Sequence, residues 1–261
     1  MKLSDTFLEA VCHSDQLVHL YDRLKTKNLR AIRPEWEKRF LAAKLTNWPK
    51  KKGIWRSKND SVLIVGVKGG GLSHKDFEAA ALLVLLRSAL VFAMAAIDKI
   101  LHESVSKRFV ALAKTEKLDS IVRLELSKSY RIAIESRVRK GKGGKIRSRP
   151  GSKIKAAVLD KMYRESFLST NRLQEVCAAC GKNKIFDRYG KTLRPQKSAD
   201  HLQQEWARLY TRRNHMAHEC DIVRKSKAKK IHFQKISETE LKSDIAFIRA
   251  FGKYLAGELG R

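Results

Sequence analysis

The sequence predicts an all-α fold. Four long stretches carry apolar residues every three or four positions, the spacing of a helix face that packs on a core. Two of them open on capping patterns, Ser73 with Asp76 and Ser237 with Glu240, and a third can be capped by Ser198 or Asp200. Polar links join the stretches, and only one short run reads as a strand. Together these features describe helices packed on helices.

Taken in order, residues 4–25 form the first helix, with Phe7, Leu8, Val11, Leu17, Leu20 and Leu24 as its apolar positions. A short helix over 34–46 starts at Pro34, a favoured first-turn residue. Residues 47–53 are a loop. Residues 61–67 read as a strand, with no obvious partner strand in the sequence. Gly69-Gly70-Gly71 ends it and lacks the spacing of a phosphate-binding loop, so it reads as a hinge. A long helix is expected over 73–113 and another over 115–137. The chain then divides into an N-terminal part, 1–71, packed on the bundle, and a helical domain, 72–261, with a basic insertion over about 137–197.

Net charge narrows the partner. The chain holds 56 Lys and Arg against 27 Asp and Glu, a formal +29. That excess points to a polyanion, with nucleic acid first, an anionic membrane surface second and an acidic protein third. Residues 137–155 carry Arg137, Arg139, Lys140, Lys142, Lys145, Arg147, Arg149, Lys153 and Lys155 with no acidic residue. Gly141, Gly143, Gly144, Pro150 and Gly151 argue against a regular helix there. Laid along phosphates, such a run releases counterions and binds without regard to sequence. Arg224, Lys225 and Lys227 form a second basic cluster.

Residues 79–97 are almost wholly apolar, but Arg87-Ser88 sits at their centre, where a charge is most costly in lipid. They are expected to be a buried core helix, with no membrane partner. The N-terminus shows no secretory pattern, and Cys12, Cys177, Cys180 and Cys220 read as free thiols of a cytoplasmic protein. Cys177-Ala178-Ala179-Cys180 has the spacing of half a zinc site without the other half. No metal or other cofactor is expected. Asp98, His102 and Glu103 read as the wet face of the long helix.

The most informative segment is Arg212-Arg213-Asn214-His215-Met216-Ala217-His218-Glu219. Leu202, Trp206, Leu209 and Tyr210 lead into it at helical spacing, and the next core-facing position falls on Arg213. A guanidinium there keeps its charge and needs an anion, a carboxylate or a phosphate. Asn214 and His218 are four residues apart and share a face, so the amide can orient the imidazole. Cation, amide and imidazole are the parts of metal-free phosphodiester chemistry.

Arg213-Asn214-x-x-x-His218 resembles the signature of the HEPN superfamily. The order of elements is similar to its RiboL-PSP branch. Arg87-Ser88 lies on a long upstream helix, Glu219-Cys220-Asp221 and Ile231-His232-Phe233 follow the motif, and a last helix opens at Ile236-Ser237-Glu238. The resemblance covers roughly residues 72–261, or more if the first helices belong to the bundle. It implies a four-helix up-and-down bundle and a homodimeric, metal-independent endoribonuclease, with Arg213, Asn214 and His218 catalytic. Arg212, Arg224, Lys225, Lys227, Arg137, Arg139, Lys140 and Lys142 would bind RNA. A toxin or antiphage role is implied, with an acidic inhibitor or antitoxin as partner. Some HEPN toxins carry a modifiable tyrosine two residues after the histidine, where this chain has Cys220. A non-catalytic RNA-binding scaffold is the alternative expectation, and a DNA-binding regulator ranks below it.

Overall fold

The computed structural model describes residues 2–25, 30–31, 53–55, 65–66, 79–115, 117–122, 150–219 and 234–260. The expected helix over 34–46, the start of the long helix at Ser73, and Arg137, Arg139, Lys140, Lys142, Cys220, Arg224, Lys225 and Lys227 lie outside them. Among the described residues the fold is helical, with nine helices and one small sheet. They run α1 (Leu3–Lys25), β1 (Arg30–Ala31), β2 (Gly53–Trp55), β3 (Val65–Gly66), α2 (Ala79–Lys107), α3 (Phe109–Lys114), α4 (Lys117–Val122), α5 (Pro150–Tyr163), α6 (Thr170–Ala179), α7 (Ile185–Thr192), α8 (Ala199–Glu219) and α9 (Glu238–Gly260).

The sheet corrects one expectation. The strand read at 61–67 has partners: β3 pairs antiparallel with β2, and β2 with β1. Those partners are two and three residues long, too short for an alternating pattern to show in the sequence.

Helix α2 is the axis of the core. Leu86, Ala89, Leu90, Ala93, Met94, Ile97, Ile100 and Leu101 are buried on it, and α1, α8 and α9 pack against it. Its segment Ala81–Lys107 is long and apolar enough to cross a membrane, but it serves here as the central packing surface, with Val84 and Phe92 left exposed. Helix α1 contributes Leu3, Phe7, Val11 and Tyr21 to the same core, so the N-terminal helix is part of it. At Gly252 on α9, an added Cβ would lie 2.3 Å from Phe7 Cζ, so α1 and α9 approach closely only because that residue is glycine.

Two further boundaries differ from expectation. The long helix stops at Lys107 and restarts at Phe109. Arg108 at the break donates to Ser104 Oγ at 3.1 Å and to Leu259 O at 2.8 Å, capping the end of α9. The stretch expected to be an insertion supplies core instead. Pro150 opens α5, where a proline costs nothing, and Phe167, Leu168, Leu173, Val176, Ile185 and Phe186 are buried. Lys155, counted in the basic run, sits on α5 with its ammonium 5.6 Å from the Phe109 ring.

His102 and Asp98 are not a wet face. His102 is buried, stacked on Phe167 with centroids 4.4 Å apart and beside Tyr163 at 5.1 Å. Asp98 accepts from Phe167 N at 2.8 Å and lies 3.7 Å from His102 Nε2. Burial holds the His102 imidazole below its ordinary pKa, outweighing Asp98.

Candidate functional site

Helix α8 carries the site, and its start is fixed by local chemistry. Ser198 Oγ accepts from His201 N at 3.2 Å, the capping contact expected from the sequence. Just before it the chain presses against α7, where a Cβ on Gly190 would lie 2.1 Å from Lys197 O. Leu202, Trp206, Leu209 and Met216 then form the buried stripe. Trp206 Nε1 donates to Leu168 O at 2.7 Å, so the indole is buried with its polar atom satisfied.

A second stripe faces α9. Arg208 grips Asp244 through both terminal nitrogens, at 2.6 and 3.2 Å. Arg212 donates to Asp244 Oδ2, the oxygen that Arg208 Nη1 also reaches, at 2.5 Å and to Glu240 at 2.6 Å. Asp244 is buried. Arg212, expected to hold RNA, has Nη1 and Nη2 each bonded to a carboxylate. Sequence reading missed Asp244, although a signal existed. It sits among Leu241, Ile245 and Ile248 on the core face of α9, where an acid demands a cation.

Arg213 behaves differently from Arg212. It continues the apolar stripe, as expected, and is half-buried. No carboxylate among the described residues pairs with it. Its Nη1 donates to Asn214 Oδ1 at 3.0 Å, and its Nε is buried without a hydrogen-bond partner. Asn214, expected to orient His218, accepts from Arg213 through its carbonyl oxygen. The bond also draws the guanidinium around the helix toward the side where His218 lies. His218 itself is exposed.

His215 lies one residue beyond Asn214 on the same helix. In the structure its Nδ1 lies 3.2 Å from Gln234 Nε2, and the backbone oxygen of Gln234 accepts from Arg87 Nη2 at 3.1 Å. Gln234 therefore links the motif helix to α2 just before α9 begins. Nothing in the sequence around Gln234 marks it for this role. Arg87, quoted for the resemblance, thus stands at the same end of the bundle as the motif.

The thiols lie elsewhere. Cys177 and Cys180 are buried, and Cys180 Sγ is 3.3 Å from Ser104 Oγ. Burial, and then Cys180, push the Cys177 thiol pKa up, which disfavours the thiolate a metal requires. Among the described residues no three His, Cys, Asp or Glu side chains gather as a metal site.

No protein-family model, curated protein or solved structure matches this chain.

Proposed function

We propose that this chain is a metal-independent endoribonuclease of the HEPN type, acting as a homodimer. The observation that carries the reading is the contrast between Arg212 and Arg213. Arg212 is held by Asp244 and Glu240, whereas among the described residues Arg213 has no carboxylate partner and keeps a buried unpaired N–H, on the same helix as an exposed histidine. A half-buried cation without a counter-ion is suited to an anionic ligand, and a chain with formal charge +29 is suited to a polyanion. The four long helices α1, α2, α8 and α9 fit a four-helix bundle with the motif near one end.

Imidazoles ordinarily titrate near neutrality. In this mechanism His218 takes the proton of a ribose 2′-hydroxyl, and the oxygen attacks the adjacent phosphorus. Arg213 stabilises the negative charge that grows on the phosphate. The bond to the 5′-oxygen breaks, and that oxygen takes a proton from His218 of a second copy. The products are a 2′,3′-cyclic phosphate and a 5′-hydroxyl. DNA lacks the nucleophile and is spared. A toxin or antiphage effector restrained by an acidic inhibitor is the biological setting this chemistry fits.

A non-catalytic RNA-binding module is the second reading. It is favoured by one observation: among the described residues Asn214 bonds to Arg213 and makes no orienting bond to the His218 ring. One experiment separates the two. Purified wild type with EDTA should cut RNA, leave DNA of the same sequence intact and produce cyclic-phosphate ends. His218→Ala should bind RNA as tightly and cut at least about a hundredfold more slowly. Tight RNA binding by a wild type that never cuts would establish the scaffold reading instead.

A further inference from the structure

We infer that His215 is a phosphate-binding hydrogen-bond donor of this same site, with its tautomer set by Gln234. The inference rests on the ribonuclease reading for its substrate, but its geometry stands apart from that reading. An amide nitrogen only donates, so Gln234 Nε2 at 3.2 Å makes His215 Nδ1 an acceptor. A neutral imidazole that accepts at Nδ1 carries its proton at Nε2. That second nitrogen meets no polar group among the described residues, and it is not a buried orphan. The ring is therefore anchored through Nδ1, and its Nε2–H, bonded to none of the described residues, is available to a ligand.

Position on the helix says where that N–H acts. Successive residues turn by about 100°, so His215 lies about 60° from His218 and about 4.5 Å along the axis. Residues three apart are surface neighbours. On the other flank Asn214 lies about 40° from His218 and carries the Arg213 guanidinium. His218 thus stands between two donors, the Arg213–Asn214 pair and the His215 imidazole. A phosphate placed for proton transfer at His218 comes within reach of both. Arg213 supplies charge, and His215 supplies a directional neutral donor.

Gln234 is the positioning residue in this arrangement. Its backbone oxygen is fixed by Arg87, which steadies the segment that presents the amide. Replacing the amide by a carboxylate would reverse the polarity, because a carboxylate accepts from Nδ1–H and moves the imidazole proton inward. Gln234→Glu should therefore remove the outward donor without removing any histidine.

The test uses the full-length protein labelled with nitrogen-15 in histidine, alongside kinetics. Nitrogen chemical shifts of the free wild type should show His215 protonated at Nε2. In Gln234→Glu the same ring should be protonated at Nδ1. His215→Ala should lower kcat for RNA about a hundredfold, in the range seen when one oxyanion donor is removed. His215→Gln, whose amide N–H reaches near the Nε2 position, should recover at least a tenth of wild-type activity. A purely structural histidine would not be rescued in that way. Affinity for an RNA with a 2′-deoxyribose at the cut site should fall about tenfold in His215→Ala. An Nδ1–H tautomer in the wild type, or His215→Ala cutting at the wild-type rate, overturns the inference. If the wild type cuts no RNA, the ribonuclease reading fails on its own. The tautomer and the affinity for the uncleavable RNA then still decide the role of His215.

Discussion

Removing the Asp244 carboxylate should loosen the motif helix from the last helix, and the size of the effect follows from burial. Asp244 has a side-chain exposure of 4%, and it accepts from Arg208 at 2.6 Å and Arg212 at 2.5 Å. Breaking a buried, hydrogen-bonded ion pair by deleting one partner costs about 3–5 kcal/mol. Here the value is discounted, because the Arg208 side chain is 41% exposed and water can replace its partner. Arg212 also keeps Glu240 at 2.6 Å. The expected loss for Asp244→Ala is therefore about 2–3 kcal/mol. For a chain of this size that is a fall in Tm of about 4–12 °C. Thermal unfolding followed by circular dichroism reads it directly. The comparison is Asp15→Ala, which breaks a pair with Arg249 at 2.9 Å whose side chains are 34% and 52% exposed. That pair is worth about 0.5 kcal/mol or less. Equal shifts for the two variants would refute the argument from burial.

Glycine substitutions should divide by the space around them. Gly252→Ala places a methyl 2.3 Å from Phe7 Cζ and 3.1 Å from Ile97 Cγ1, and should cost about 1–3 kcal/mol, whereas Gly257→Ala meets nothing within 4 Å and should stabilise α9 by up to about 1 kcal/mol. Urea midpoints of the two variants should move in opposite directions. Acid should destabilise the fold in two steps. The His102 pKa is lowered in the folded state by burial, so the unfolded chain binds a proton more readily, and stability should begin to fall as the pH drops below about 6.5. Glu238 is held at about 2 by Lys25 first and also by Lys242 and Tyr21. Its contribution is present above its ordinary value of 4.5 and is lost as the pH falls toward 2. Titrating urea midpoints from pH 8 to 4 checks the first step, which should flatten in His102→Phe.

How much of this was legible depends on where each signal lay. Helices α8 and α9 start close to where the sequence places them, because Ser198 and Ser237 make their caps locally, at 3.2 and 3.1 Å. The break at Arg108 was not legible. No proline or glycine marks it, and it is tied to a contact with Leu259, 151 residues away. Charge hid the core contribution of α5 to α7, because a run of lysines and arginines drew the reading toward a linker. Arg213 was located correctly on the apolar stripe by periodicity alone. The partner of Arg212 was missed, since a salt bridge between helices depends on which faces meet.

That difference between neighbours yields the sharpest test of the site. Arg212 and Arg213 are adjacent and chemically identical, but the helix turns by about 100° between them. Arg212 meets Asp244 and Glu240, and Arg213 meets the amide of Asn214. Arg212→Ala leaves Asp244 to Arg208 alone and strips Glu240 of its close partner, the remaining Arg208–Glu240 approach being 3.8 Å. It should cost about 1–2 kcal/mol of stability. Arg213→Ala removes one bond to Asn214 together with a buried Nε–H that no acceptor among the described residues satisfies, and these offset, so stability should change by about 0.5 kcal/mol or less, in either direction. Function should follow the opposite order. With both variants assayed well below their melting transitions, RNA affinity and cleavage should fall sharply in Arg213→Ala and stay near wild type in Arg212→Ala. The reverse ranking, with Arg213→Ala unfolding readily and still binding RNA, would make Arg213 a structural arginine and remove the anion from the site.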